Sequence, residues 1–197
     1  MNDVSPAFSN TQRANRAIGA MFFIPFGAAW LGLGTSNLVS SPVPIYALIG
    51  VFAIIFFIVA LRVRRRALER AGPPAPQTPD EKRKDKWFHI INAGQWVLIL
   101  VVGNVLANIG LRDWILPMVM FVVGLHFLPL ARLFGARSHY LTGLALMAVA
   151  CIYPFSAAGG PSSGWGPVLA GFILWDSAAW ALRANSGGKM QDKGITS

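Results

Sequence analysis

Apolar residues in this chain gather into long unbroken runs, not into the short alternations of half-buried strands. Six runs stand out, at about 14–35, 43–63, 87–109, 114–134, 138–156 and 165–184. Each holds about 20 residues, which as a helix rising 1.5 Å per residue crosses a hydrocarbon core of ~30 Å. The pattern therefore predicts an all-α, polytopic membrane protein, a bundle of six transmembrane helices. The runs use up most of the 197 residues, so one membrane domain covers the whole chain.

The polar stretches between runs carry their own signals. Helix two should continue past the membrane through Arg64, Arg65 and Arg66 to about Arg70. Gly72 suits the residue just past its end, and Pro73 and Pro74 forbid continuation. In Thr78–Pro79–Asp80–Glu81, Thr78 can cap a new helix, Pro79 fits its first position and Glu81 closes a capping box. Tight turns are expected at Gly110–Asp113 and Gly135–Ser138, with a longer uncharged loop at Gly159–Ser163. Small residues four apart, Ala28/Gly32, Gly103/Ala107 and Ser177/Ala181, predict close helix approach. Pro25 and Pro154 predict kinks. Trp30, Tyr46, Trp114, Tyr153 and Trp165 fall at one set of run ends, and Trp87, Tyr140 and Trp180 at the other. Interfaces favour such rings. Trp96 and Trp175 lie deeper and are expected between helices.

Composition adds an orientation. The chain is 54% hydrophobic and 13% charged, with 17 Lys and Arg against 8 Asp and Glu. A net charge of +9 in a soluble protein would suggest nucleic acid. Here the basic residues crowd one side of the runs, including Arg62, Arg64, Arg65, Arg66, Arg70, Lys82, Arg83, Lys84 and Lys86 between runs two and three. Arg13, Arg16, Arg132, Arg137, Arg183, Lys189 and Lys193 join them, and Arg112 alone falls opposite. That asymmetry predicts both termini in the cytoplasm. Arg64, Arg65, Arg66, Lys82, Arg83, Lys84 and Lys86 are also placed to meet anionic lipid headgroups. The polar start, Met1–Asn15, and a first run long enough to stay as an anchor predict no cleaved leader. Cys151 is the one cysteine and can form no disulfide within the chain.

Little chemistry lies within the runs. Asp176 is their one carboxylate, seven residues before Arg183 and so roughly 10 Å inside that boundary. His126 stands six residues before Arg132, at roughly the same depth, about 9 Å. Pro129 follows it and frees the carbonyl of Leu125. Asn92 and Gln95, with His89 nearer the interface, occupy one slowly rotating face of helix three. These positions suggest a cytoplasm-facing polar pocket of Asn92, Gln95, His126 and Asp176, with His89, Arg132 and Tyr140 at its mouth. The bland readings stand beside it: a neutral, hydrogen-bonded Asp176, a His126 that mends a backbone defect, and helix-three amides as glue between helices. Asn104 and Asn108 either continue a polar track or solvate the other end of helix three. Helix two, with almost no polar side chain between Tyr46 and Arg62, is expected to face lipid or another subunit. No Walker motif, His-Glu-x-x-His or Gly-x-Ser-x-Gly occurs. The different depths of His89 and His126 argue against haem, so neither cofactor nor metal is expected.

Across Gly124–Leu125–His126–Phe127–Leu128–Pro129–Leu130–Ala131–Arg132–Leu133–Phe134, then Tyr140 and Thr142–Gly143, the chain resembles a group of small uncharacterised bacterial multispanning membrane proteins. The resemblance is clearest over helices three to five. It implies a bacterial inner-membrane protein of the same build and carries no activity. Three readings stay open. The protein binds or moves a small polar solute or proton, it serves as a non-catalytic accessory or scaffold subunit with a membrane-protein partner or further copies of itself, or it modifies lipid with His126 and Asp176 as acid and base.

Overall fold

The computed structural model describes residues 6–72 and 76–183, with side chains from residue 10 onward. Pro73, Pro74, Ala184, Lys189 and Lys193 lie outside the described residues. Six α-helices follow one another: α1 (Pro6–Leu38), α2 (Val43–Ala71), α3 (Pro79–Asn108), α4 (Ile115–Phe134), α5 (Arg137–Ser156) and α6 (Trp165–Arg183). Single 3₁₀ turns, Arg112–Trp114 and Gly160–Ser162, precede α4 and α6. Five helices are long and apolar enough to cross a membrane. The sixth, α6, is not among them. Three tryptophans, Asp176 and Ser177 fall within its 19 residues and lower its hydropathy.

The helix ends follow local chemistry. α2 stops at Ala71, and Gly72 takes the positive φ of 80° that a side chain resists. α3 starts on a complete capping box. The Glu81 amide donates to the Thr78 hydroxyl at 3.3 Å, and the Thr78 amide donates to the Glu81 carboxylate at 2.8 Å. That backbone donor, aided by the Thr78 hydroxyl, holds the Glu81 carboxyl below its ordinary pKa, in the polar stem ahead of the apolar run. Gly135 closes α4 in the left-handed region.

The helices are ordered in space as α2, α1, α6, α5, α4, α3, each packed on the next. Chain order and spatial order thus differ, and α2 and α3 stand at the two ends of the row. On α1 the buried positions Ala14, Ala17, Ala20, Ile24, Gly27, Leu31 and Gly34 recur every three to four residues, one stripe of a helix. The middle of the fold is closed by three rings from three helices. Phe23 of α1 and Phe127 of α4 lie 5.5 Å apart, and His139 of α5 is 5.9 Å from each. The end helices are different. α2 buries Ala60 and Ala67, whereas α3 buries no residue. They expose Leu48, Ile54, Leu100 and Val101, apolar surface that suits lipid contact.

Glycine sets the closest approaches. Gly27 and Gly34 of α1 face Gly171 of α6 and Gly164 just ahead of that helix, two seven-residue spacings running in opposite directions. A Cβ on Gly171 would sit 2.8 Å from the Gly27 carbonyl, and one on Gly34 would sit 2.5 Å from the Gly164 carbonyl. Between α4 and α5, Gly124 and Gly143 meet in the same way, at 2.7 and 2.6 Å from one another's carbonyl oxygen. These pairs correct part of the packing expected from sequence. Gly32 and Gly103 have open space where a Cβ would go. Several aromatics also differ from expectation. Trp30 and Tyr153 are buried in the core, while Trp96 is exposed because α3 stands at the edge of the bundle.

Replacing Gly124 with alanine should push α4 and α5 apart and cost about 1–3 kcal/mol. At Gly103 the same change meets nothing and should stabilise the helix by roughly 0.5–1 kcal/mol. Thermal unfolding of both variants in one detergent checks the contrast.

Candidate functional site

Three places among the described residues bear on the polar groups of the apolar runs. The first is a shallow cavity of about 110 Å³ on the outer side of the α3/α4 seam. Gln95, Ile91, Gly94 and Leu98 of α3 line it opposite His126, Leu125, Val122 and Pro129 of α4. Gly94 adds no side chain and Pro129 lacks an N–H, so the seam keeps a notch beside the imidazole. The space is several times what one water needs. His126 interacts with the backbone of Ile91 across the seam. Its Nδ1 is buried without a hydrogen-bond partner among the described residues. A nitrogen left that way in an apolar wall is costly.

The second place is the α5/α6 contact, where Thr142 and Ser177 hydroxyls meet at 2.7 Å. One hydroxyl donates to the other, which keeps its own proton for the carbonyl four residues back in its helix; Thr142 Oγ1 lies 3.1 Å from the Ser138 carbonyl and Ser177 Oγ 2.8 Å from that of Ile173. On the other flank of α6 the Trp175 indole N–H donates to the Ile24 carbonyl of α1 at 3.0 Å, and the ring stacks edge-on to Phe56 of α2. Trp175 thus sits between helices, as its depth suggested. Among the sequence candidates for interhelical polar contact, Thr142 figured only in the resemblance motif and Ser177 only as a small residue. The readable signal was a hydroxyl in each of two otherwise apolar runs.

The third place is Asp176 itself. It belongs to the exposed stripe of α6 that runs through Leu169, Phe172 and Trp180, facing away from the side that packs on α1 and α5. Among the described residues it has neither a hydrogen bond nor an ion pair. The structure therefore brings Gln95 and His126 together but holds Asp176 on a different helix outside their cavity. Asn92 is half-buried on α3 and does not line the cavity. His89, Arg132 and Tyr140 are exposed beyond it. The His89 ring lies 5.6 Å from Phe88.

Asn104 and Asn108 donate to carbonyls of their own helix, Leu100 and Asn104, each at 2.8 Å. In the basic connection, Arg65, Arg66, Lys82, Arg83, Lys84 and Lys86 are exposed, and Arg83 makes a long 3.9 Å contact with Asp80. Arg64 is half-buried, and its Nε has no partner among the described residues. The described residues contain no group of three His, Cys, Asp or Glu able to hold a metal ion. No family model, curated protein or solved structure matches the chain.

The Thr142–Ser177 bond should be measurable. Thr142→Val and Ser177→Ala are each expected to lower unfolding stability in detergent, with a coupling of about 0.6 to 1.7 kcal/mol in a double-mutant cycle. Fully additive losses would mean that the hydroxyls do not support each other.

Proposed function

We propose that this chain is a six-span protein of a bacterial inner membrane, with both termini cytoplasmic, and that it acts as a non-catalytic subunit or scaffold. The six-span reading is supported by α6. Its 19 residues reach about 28 Å at 1.5 Å per residue, close to a hydrocarbon thickness of ~30 Å. It is also wedged between α1 and α5, both of which qualify as spans. The orientation rests on the one-sided distribution of Lys and Arg. The exposed basic residues that end α2 and open α3 then lie at the headgroups of the inner leaflet, where each adds about 1 kcal/mol of attraction to anionic lipid.

The observation that carries the subunit reading is the outward placement of Asp176 among Leu169, Phe172 and Trp180. A carboxyl group at that depth costs about 2.5–3.5 kcal/mol unless something polar covers it. Among the described residues, packing within one copy supplies no cover, and another protein surface would supply it. The unburied α3 seam makes the same demand through Gln95 and His126. A second reading draws on the cavity alone: a small polar solute or a proton occupying the notch beside His126.

Two measurements check this account. With Cys151→Ala as background, Gln77→Cys should react with a membrane-impermeant maleimide from the cytoplasmic face only. Labelling from the periplasmic face would reverse the topology. In lipid particles cut directly from the membrane, native mass spectrometry should find the chain bound to at least one further protein chain. Isolated monomers that conduct solute or protons in liposomes, with flux lost in His126→Ala, would favour the second reading.

A further inference from the structure

Resting on the subunit reading, we propose that the protein chain covering the α3/α4 notch is a second copy of this one, with Asp176 of one copy seated against His126 of the next. The two groups are complementary in chemistry. One is a carboxyl group on an exposed stripe and the other an imidazole that lines the notch. They are also matched in depth. α4 and α6 run in the same direction, because the helices alternate along the chain. Asp176 lies seven residues before Arg183 and His126 six before Arg132, a mismatch of about one helical rise, 1.5 Å. Two copies standing upright in one bilayer therefore bring these groups level without tilting.

The surfaces fit as well. Asp176 projects from a ridge with Phe172 and Trp180, both exposed. The notch is concave, with Gly94 leaving room beside the ring and a volume of about 110 Å³ that admits a carboxyl group. Within one copy the two patches are on different helices at different places on the perimeter, so no copy satisfies its own pair. The contact joins unlike patches and is head-to-tail. Repetition produces a closed ring or an open row, not an isolated two-fold pair. Every copy in a ring would have both groups satisfied.

Cross-linking between differently tagged copies tests this while leaving Asp176 and His126 intact. Both versions carry Cys151→Ala. One adds Phe172→Cys on the ridge, the other Leu125→Cys beside the notch. Treated in the membrane with a short thiol-specific bifunctional reagent, they should form mixed-tag product severalfold above either same-tag product. Adding Asp176→Leu to both versions should reduce that yield severalfold, while the unreacted chains elute as folded wild type does. Same-tag Phe172→Cys product in excess would reveal a two-fold α6 contact and overturn the proposal. So would a yield indifferent to Asp176→Leu, or no copy-to-copy product. If copies fail to cross-link but another protein remains bound in native particles, the second-copy assignment falls and the subunit reading stands. Unaccompanied monomers would defeat both.

Discussion

Backbone-to-backbone contact at glycine is the constraint on which this bundle depends. Lipid tails are as apolar as leucine, so helices inside a membrane gain little from hiding hydrocarbon. Close approach, with dense dispersion contacts and a few hydrogen bonds, has to supply the stability. The facing pairs Gly27/Gly171 and Gly34/Gly164 bring α1 onto α6, and Gly124/Gly143 bring α4 onto α5. Where backbones come this close, no room is left between them for a long polar side chain. Hydroxyls that sit close to carbonyls of their own helix can still enter, as those of Thr142 and Ser177 do. Larger polar groups are displaced to the rim.

That displacement gives the molecule its character. Its interior is filled by small, aliphatic and aromatic residues, and Asp176 faces outward. Asp176 on α6 and the His126/Gln95 notch at the α3/α4 seam lie at different places around the bundle. α2 and α3, consecutive in the chain, end up at opposite ends of the helix row with their apolar sides open. The proposed assembly in the plane of the membrane would draw on this shape, since an outward polar group is costly alone and stabilising once paired.

Much of the fold was legible in the amino-acid sequence, for physical reasons. Spans are announced by length and hydropathy because a bilayer has a fixed thickness. The break at Gly72 and the capping box at Thr78 and Glu81 depend on neighbouring residues alone, and both occur where the sequence puts them. The order of helices in space was not legible. A membrane helix carries apolar residues all round, so its own sequence does not say which face is inside. For that reason Gly32 and Gly103 looked like contacts and have open space, while Gly27 and Gly171 hold the bundle together. The same blindness placed Asp176 and His126 at one depth without saying that they occupy separate faces. It also let Trp96, on a helix with no buried residue, look like a packing residue.

The central claim is that dense helix packing separates the polar groups of one copy. Pulsed electron spin resonance tests it most directly, using spin labels on Gln95→Cys and Asp176→Cys in one chain, with Cys151→Ala and a large excess of unlabelled protein. α3 and α6 do not pack directly on one another, so a separation well beyond one helix spacing of ~8–10 Å is expected. A distance under about 10 Å, one helix spacing, would mean that these residues share a single internal pocket and would contradict the account.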